Sequence, residues 1–493
     1  MTVSPLLALI LLPVVGALMI LVGFNPRRTA ITAAALNFLL SIALFVIYQQ
    51  HGGAGYQFIS TYPAVSSMGI NFTLGADGLS LAMLFLATVV TLAAVTLARS
   101  PAANGNWFYV SLLFISAGAI GAFASVDAFF FYMFHELALI PTFLLIGIWG
   151  SGDRQSAAWK VTIYLALGSF ILLLGLIGLY FSMPAAVRTF DMIKIAEMAH
   201  TGAFHPSIVV FLLLFFGFGI LVSLFPFHTW APQAYASAPA PAAMLHAGVI
   251  KKFGLYGLLR LVTPVFPPEM IQPLNNLLLI LILGNILYIG FVTIAQRKLD
   301  LMLGYSSVMH MGYIFLGILS WTTLGLTGAA VMLVAHGLSI AALFALSGEL
   351  RERTGTLDFA ELGGLARVMP AFGLFFGFAA MASVGLPGFA NFAGEIMVFF
   401  GSFSAAGQPA LWGFTNFQIT TAIAVWGVVI SAVYMLRAYR RIFFGLPADR
   451  WKALPDLSPM VKLCVGGLFV LLLIVGFCPQ LLVHYVLPAV LQP

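Results

Sequence analysis

Charge is what this sequence has least of. Only 7% of its 493 residues are Asp, Glu, Lys or Arg, whereas 62% are hydrophobic, and mean hydropathy is +1.07. A soluble globular chain carries about 25% charged residues. The composition therefore excludes a soluble fold and reads as an all-α polytopic membrane protein. Cysteine is scarce as well: Cys464 and Cys478 lie apart in one late apolar stretch, with no CxxC pair. No His cluster has metal-ligand spacing either, so neither a disulfide framework nor a metal or iron–sulfur centre is indicated. The first apolar run, MTVSPLLALILLPVVGALMILVGF, has no basic residue ahead of it and no small-residue cleavage site behind it, and reads as a retained helix rather than a signal peptide. The net charge of +6 requires no nucleic-acid partner. Basic residues of membrane proteins gather in cytoplasmic loops.

About 20 apolar residues span the bilayer core. Runs of that kind occur fourteen times, at 4–23, 29–48, 79–98, 107–124, 128–149, 160–182, 207–229, 242–263, 271–295, 301–320, 323–348, 368–401, 415–444 and 459–484, numbered helices 1 to 14. An even number places both termini on one side. Assigning loops alternately puts sixteen basic residues on one side and only Arg188, Lys194 and Arg260 on the other. By the positive-inside rule the crowded side is cytoplasmic and both termini face away from it.

Two helices should be broken. Helix 7 contains FPFHTWAP and helix 12 contains VGLPGFANF, and proline removes a backbone donor and clashes with the preceding turn. Such breaks at membrane depth are tolerated only inside protein or beside a hydrated cavity. The two lie five helices apart, an odd offset that reverses direction across the membrane. Helices 4 to 8 and 9 to 13 can therefore be two inverted repeats of the kind that build transport sites, and the matched breaks are the pointer to it. The chain divides accordingly into 1–106, 107–263, 264–444 and 445–493.

Four charged residues fall where hydrocarbon is expected: Glu136 on helix 5, Lys251 and Lys252 on helix 8, and Glu395 on helix 12. Each costs roughly 2.5–3.5 kcal/mol at a helix centre, and such residues usually mark an ion or proton path. Glu136 lies about 13 Å along its helix from Asp127 and so near mid-bilayer. Lys251 and Lys252 point about 100° apart and cannot both face one pathway. Five histidines join them: His135, His228, His246, His310 and His336. Histidine both donates and accepts near neutral pH, as a proton relay requires. Burial disfavours any ion and a neighbouring opposite charge restores it, so moving a partner releases or captures a proton. The plainer alternative is a static set of buried pairs that only fixes helix packing.

The segments HAGVIKKFGLYGLLR, PFHTWAP, YSSVMHMGYIFLGI, AHGLSIAALFALSGELRERTGTLDF and NFAGEIMVFFGSF together resemble the antiporter-like membrane subunits of respiratory complex I, the M-type (chain 4) subunit most of all. The resemblance runs from helix 4 to helix 13. It implies a proton-translocating subunit of an NADH:quinone oxidoreductase in the bacterial inner membrane, beside other membrane subunits and lipids. NADH, FMN, iron–sulfur clusters and quinone would then belong to partner subunits, with no cofactor in this chain. It also implies a helix 5 glutamate paired with a helix 7 lysine, a helix 8 lysine and a titratable group on helix 12. Glu136, Lys252 and Glu395 match three of these, and His310 and His336 match relay histidines of helices 10 and 11.

The departures are as informative. The helix 7 lysine would stand nine positions before Trp230, where this chain has Leu221. The usual WLPDAH reads WAPQAYA, placing Gln233 and Tyr235, and the DLKR motif reads KLDL, with Lys298 and Asp300 exchanged in sign. Glu136 therefore needs another partner among His135, His228, Lys251 and Lys252, and the additional Lys251 is the expected one. A subunit of a multisubunit cation/proton antiporter or membrane-bound hydrogenase would have the same fold, and a non-conducting structural paralogue would fit the missing lysine.

Overall fold

The computed structural model describes residues 4–101 and 103–491. Residues 1–3, 492 and 493, which the outer domain limits include, lie outside the described residues, as does residue 102.

Apolar runs of this length have one way to bury their backbone polar groups in lipid, and they form helices. Ten helices are long and apolar enough to cross a membrane. They are joined by Pro5–Leu21, by the two-part helices 7 and 12, and by helix 8, which runs from Ala240 to Val262. Together these make fourteen crossings. Several helix starts are set by a side chain that accepts a first-turn backbone N–H: Asn25, Asp77, Asp127, Asp153, Thr322, Thr415 and Ser458. Three of the fifteen acidic residues are among these caps. Asp127 also accepts from the Asn71 N–H, and burial pushes its carboxyl up to about 6.

Both expected breaks are present. Helix 7 stops at Ile208–Val222 and resumes as Trp230–Ser237, beyond the limit of 229 read from the sequence. Helix 12 divides into Pro370–Val384 and Ala390–Phe403. The polar groups freed at the first break are satisfied from helix 9. There the buried Asn285 accepts from Phe225 N–H at 2.6 Å and donates to Ser223 C=O at 3.2 Å. It also donates to Val308 C=O at 3.1 Å, tying helices 7, 9 and 10 together.

Helix 11, Thr323–Thr354, is the axle of the molecule, its membrane window wholly buried. It meets helix 8 at a pair of glycines. A Cβ on Gly248 would lie 3.0 Å from the Gly337 carbonyl oxygen, and one on Gly337 would lie 2.7 Å from that of Gly248. Small residues let membrane helices approach this closely, and the contact joins the first half of the chain to the second.

Three elements were not in the sequence reading, one of them the short helix Met192–His200 between helices 6 and 7. An antiparallel hairpin, β1 (Gln57–Val65) and β2 (Ile70–Ala76), closes over the ends of helices 4 and 5, where Leu74 bridges to Ser125. Helix 14 ends at Phe477, and Gln480–Leu491 forms a separate helix packed against helices 3 and 11.

Candidate functional site

Helix 8 carries the site through irregular turns. Two π-helical segments, His246–Ile250 and Leu258–Val262, bracket Lys251 and Lys252. A π turn re-aims the side chains around it and is frequent at functional sites. The two ammonium groups are fully buried and diverge. That of Lys251 reaches Ser307 Oγ of helix 10 at 3.4 Å and stands 5.6 Å from the Tyr235 ring centroid. That of Lys252 donates to Ala247 C=O at 2.7 Å and to His336 Nδ1 at 2.9 Å.

From His336 the line continues into the second half. Its ring centroid is 5.5 Å from that of His310. His310 sits between two carbonyl oxygens, Nδ1 at 2.8 Å from Ser306 O and Nε2 at 2.9 Å from Ser383 O in the last turn before the helix 12 break. A neutral imidazole has one N–H and can satisfy one of these oxygens, whereas the doubly protonated ring satisfies both. A gained proton would therefore find its hydrogen bond already built. Tyr313 follows at 5.7 Å, its hydroxyl buried with no hydrogen-bond partner among the described residues. Glu395 closes the line. Its carboxylate packs on Gly385, which has φ +80° and no room for a Cβ, and it borders an apolar cavity of about 570 Å³ at the edge of the chain.

The other end is built differently. Glu136 Oε1 is 3.4 Å from His135 Nδ1, with the His135 side chain 2% exposed and that of Glu136 32% exposed. The His135 ring stacks on Phe253 at 4.1 Å. Among the described residues, Glu136 makes no ion pair with Lys251 or Lys252. Lys251 is thus directed to helix 10 and the Tyr235 face, and the expectation that it replaces the missing partner of Glu136 is corrected: His135 occupies that place. Leu221 is buried against Gly168 of helix 6. His246 Nδ1 is 3.2 Å from the Tyr235 hydroxyl, and its Nε2 is buried without a partner. His228 lies in the helix 7 break, stacked on Phe225 at 5.7 Å and apart from the other histidines.

Three features were not anticipated. Arg260, assigned above to a loop, is buried in the last turn of helix 8, where it pairs with Asp77 and lies over the Tyr256 ring at 5.0 Å. Asn285 was visible only as one amide in an apolar run, and Tyr235 only as a departure from a motif. No group of three or more His, Cys, Asp or Glu side chains able to hold a metal ion occurs among the described residues.

Known proteins share this arrangement of helices. The family described as NADH:quinone oxidoreductase/Mrp antiporter matches residues 125–423. A chain 4 of NAD(P)H-quinone oxidoreductase from Nostoc sp. is 32% identical over 485 residues, covering 97% of this chain and 88% of the relative. Subunit M of NADH-quinone oxidoreductase from Rickettsia prowazekii is 31% identical over 482 residues, covering 96% and 94%. A chain of respiratory complex I from Thermus thermophilus superposes with a TM-score of 0.86 at 28% identity, over 99% of this chain and 98% of that one. A chain of the Mrp complex from Dietzia sp. has the same fold, with a TM-score of 0.82 at 21% identity over 99% and 97%.

Proposed function

This chain belongs to the NADH:quinone oxidoreductase/Mrp antiporter family of membrane subunits, and from that premise we propose that protons cross it along the buried line from His246 to Glu395. It is a proton-translocating, antiporter-like membrane subunit of a complex I type enzyme, and it works among other membrane subunits. NADH, FMN, iron–sulfur clusters and quinone are assigned to those partners.

The observation that carries the reading is the contact between Lys252 and His336. It joins helix 8 to helix 11, and so the half of the chain at 107–263 to the half at 264–444. A lysine that shares its hydrogen bond with an imidazole has an acceptor for its proton within reach, and His310 stands next in line. Lys251, Lys252, His336, His310 and Glu395 are the conducting groups in this reading, with His246 leading to them. His135 and Glu136 form the edge that faces a neighbouring subunit. A carboxylate part exposed at mid-helix is expensive in lipid and inexpensive against a polar partner. His228 is assigned to the helix 7 break.

The protein is placed in the bacterial inner membrane with both termini away from the cytoplasm. Moving Arg260 from loop to interior leaves Arg188 and Lys194 alone against sixteen basic residues, which sharpens the asymmetry behind that orientation.

A second reading, a structural paralogue that does not conduct, has Leu221 behind it. Glu395→Gln in the assembled complex separates the two. With vesicle-reconstituted enzyme, conduction requires that the variant assemble and lose proton pumping per NADH oxidised. Unchanged pumping would favour the structural role.

A further inference from the structure

A cavity of about 290 Å³ opens between helices 3, 7, 8 and 11 on the side that carries the basic loops. Its outer wall is charged: Arg99 pairs with Glu352 at 2.6 Å and with Glu349 at 3.6 Å, and Arg351 pairs with Asp300. The Arg99 and Glu352 side chains are 60% and 40% exposed, so this end meets water. At its inner end the wall is Tyr235, on the resumed part of helix 7.

Tyr235 lines this cavity and also lies against the buried basic groups. Its hydroxyl is 3.2 Å from His246 Nδ1, and its ring lies 5.6 Å from the Lys251 ammonium. Behind it, His246 Nε2 is buried and unpartnered, within electrostatic reach of His135, Lys251 and Lys252. A tyrosine at this point both donates and accepts, so it can pass a proton without holding a charge.

We propose that Tyr235 is the relay residue between the charged vestibule and the buried line. The transfer leaves no net charge on either ring, and the imidazole passes from its Nε2–H to its Nδ1–H tautomer. The Tyr235 O–H gives its proton to His246 Nδ1 while the phenol oxygen accepts another from the vestibule. The imidazole releases its Nε2 proton inward to a water, since among the described residues no protein group is within hydrogen-bond reach of that nitrogen. Nothing is oxidised, and the only species moved is H⁺. This inference rests on the proposed function, since a relay has meaning only in a chain that conducts.

The test uses the whole enzyme in vesicles, measuring protons pumped per NADH oxidised. Tyr235→Phe keeps the ring beneath Lys251 and removes the hydroxyl. It should give an assembled enzyme with a loss of protons pumped per NADH oxidised, as Glu395→Gln should. Tyr235→His, which restores a group able to donate and accept, should recover most of it. Normal pumping by Tyr235→Phe, with pumping lost in Glu395→Gln, would overturn the role of Tyr235 and leave the proposed function standing. Normal pumping in both would overturn the proposed function itself. Should the Phe variant fail to assemble, Tyr235→His decides: retained pumping supports the relay and abolished pumping contradicts it.

Discussion

The ammonium of Lys252 and Nδ1 of His336 lie 2.9 Å apart although 84 positions separate them in the chain. The approach depends on Gly248 and Gly337, which let helices 8 and 11 touch backbone to backbone one turn from the lysine. Two repeats that could have packed through apolar side chains alone are thus joined through a titratable pair.

Removing the imidazole should leave that ammonium with only the Ala247 carbonyl. An orphaned buried polar group costs about 1–3 kcal/mol, and a charged one more. His336→Leu should therefore lower the melting temperature of the purified complex, and Lys252→Met added to it should recover part of the loss. A double variant no better than His336→Leu would mean that the two residues do not interact.

Asn285 should matter to stability in the same currency of hydrogen bonds. Its amide serves the Phe225 N–H and the Ser223 and Val308 carbonyls, so Asn285→Leu orphans backbone at the helix 7 break. The expected cost is about 1–3 kcal/mol per group left unpaired. Loss of this subunit from the complex at lower temperature or detergent concentration would register it. Wild-type retention would contradict the assignment.

The fourteen crossings and both breaks were legible in the sequence because each rests on local chemistry: an apolar run of bilayer length, or a proline inside one. The buried charges were legible for the same reason. Partnerships were not. Nothing near Lys251 tells that it faces Ser307 and Tyr235 while its neighbour faces His336, since those partners stand on helices 10, 7 and 11. Arg260 read as a loop residue because it ends an apolar run, and its partner Asp77 lies 183 positions away. In the hairpin, β2 does alternate from Ile70 to Leu74, but it is only seven residues long and its partner β1 has no such pattern, with Ile59 and Tyr62 exposed. The resemblance of helices 4 to 13 supplied the axis, and the contacts of Tyr235 supplied what the resemblance lacks.

Gly385 offers a test of geometry at the far end. It holds φ +80° and packs directly on the Glu395 carboxylate. Alanine there should cost about 1–2 kcal/mol for the left-handed backbone and should also displace the carboxylate, so pumping falls. Gly445→Ala, at φ +101° with open space around it, carries the strain without the contact and should pump normally. Equal effects from the two would place Gly385 outside the pathway.

The Asp77 and Arg260 pair predicts an asymmetry between one change and two. Asp77→Leu alone strands a buried guanidinium and should destabilise by about 3–5 kcal/mol, whereas adding Arg260→Met should recover most of that and leave about 0.5–2 kcal/mol from the lost cap on Ser80 N–H. Thermal denaturation of the purified complex distinguishes them. A single variant as stable as the double would show that the pair is dispensable.

The most direct test of the central claim is the number of protons moved per NADH oxidised by vesicle-reconstituted complex carrying Lys252→Met. Its side chain fills nearly the same space as lysine without a proton to give. The expected result is an assembled enzyme whose ratio falls while the wild-type enzyme prepared alongside retains its own. An unchanged ratio in the assembled variant would contradict proton passage between the two halves of this chain.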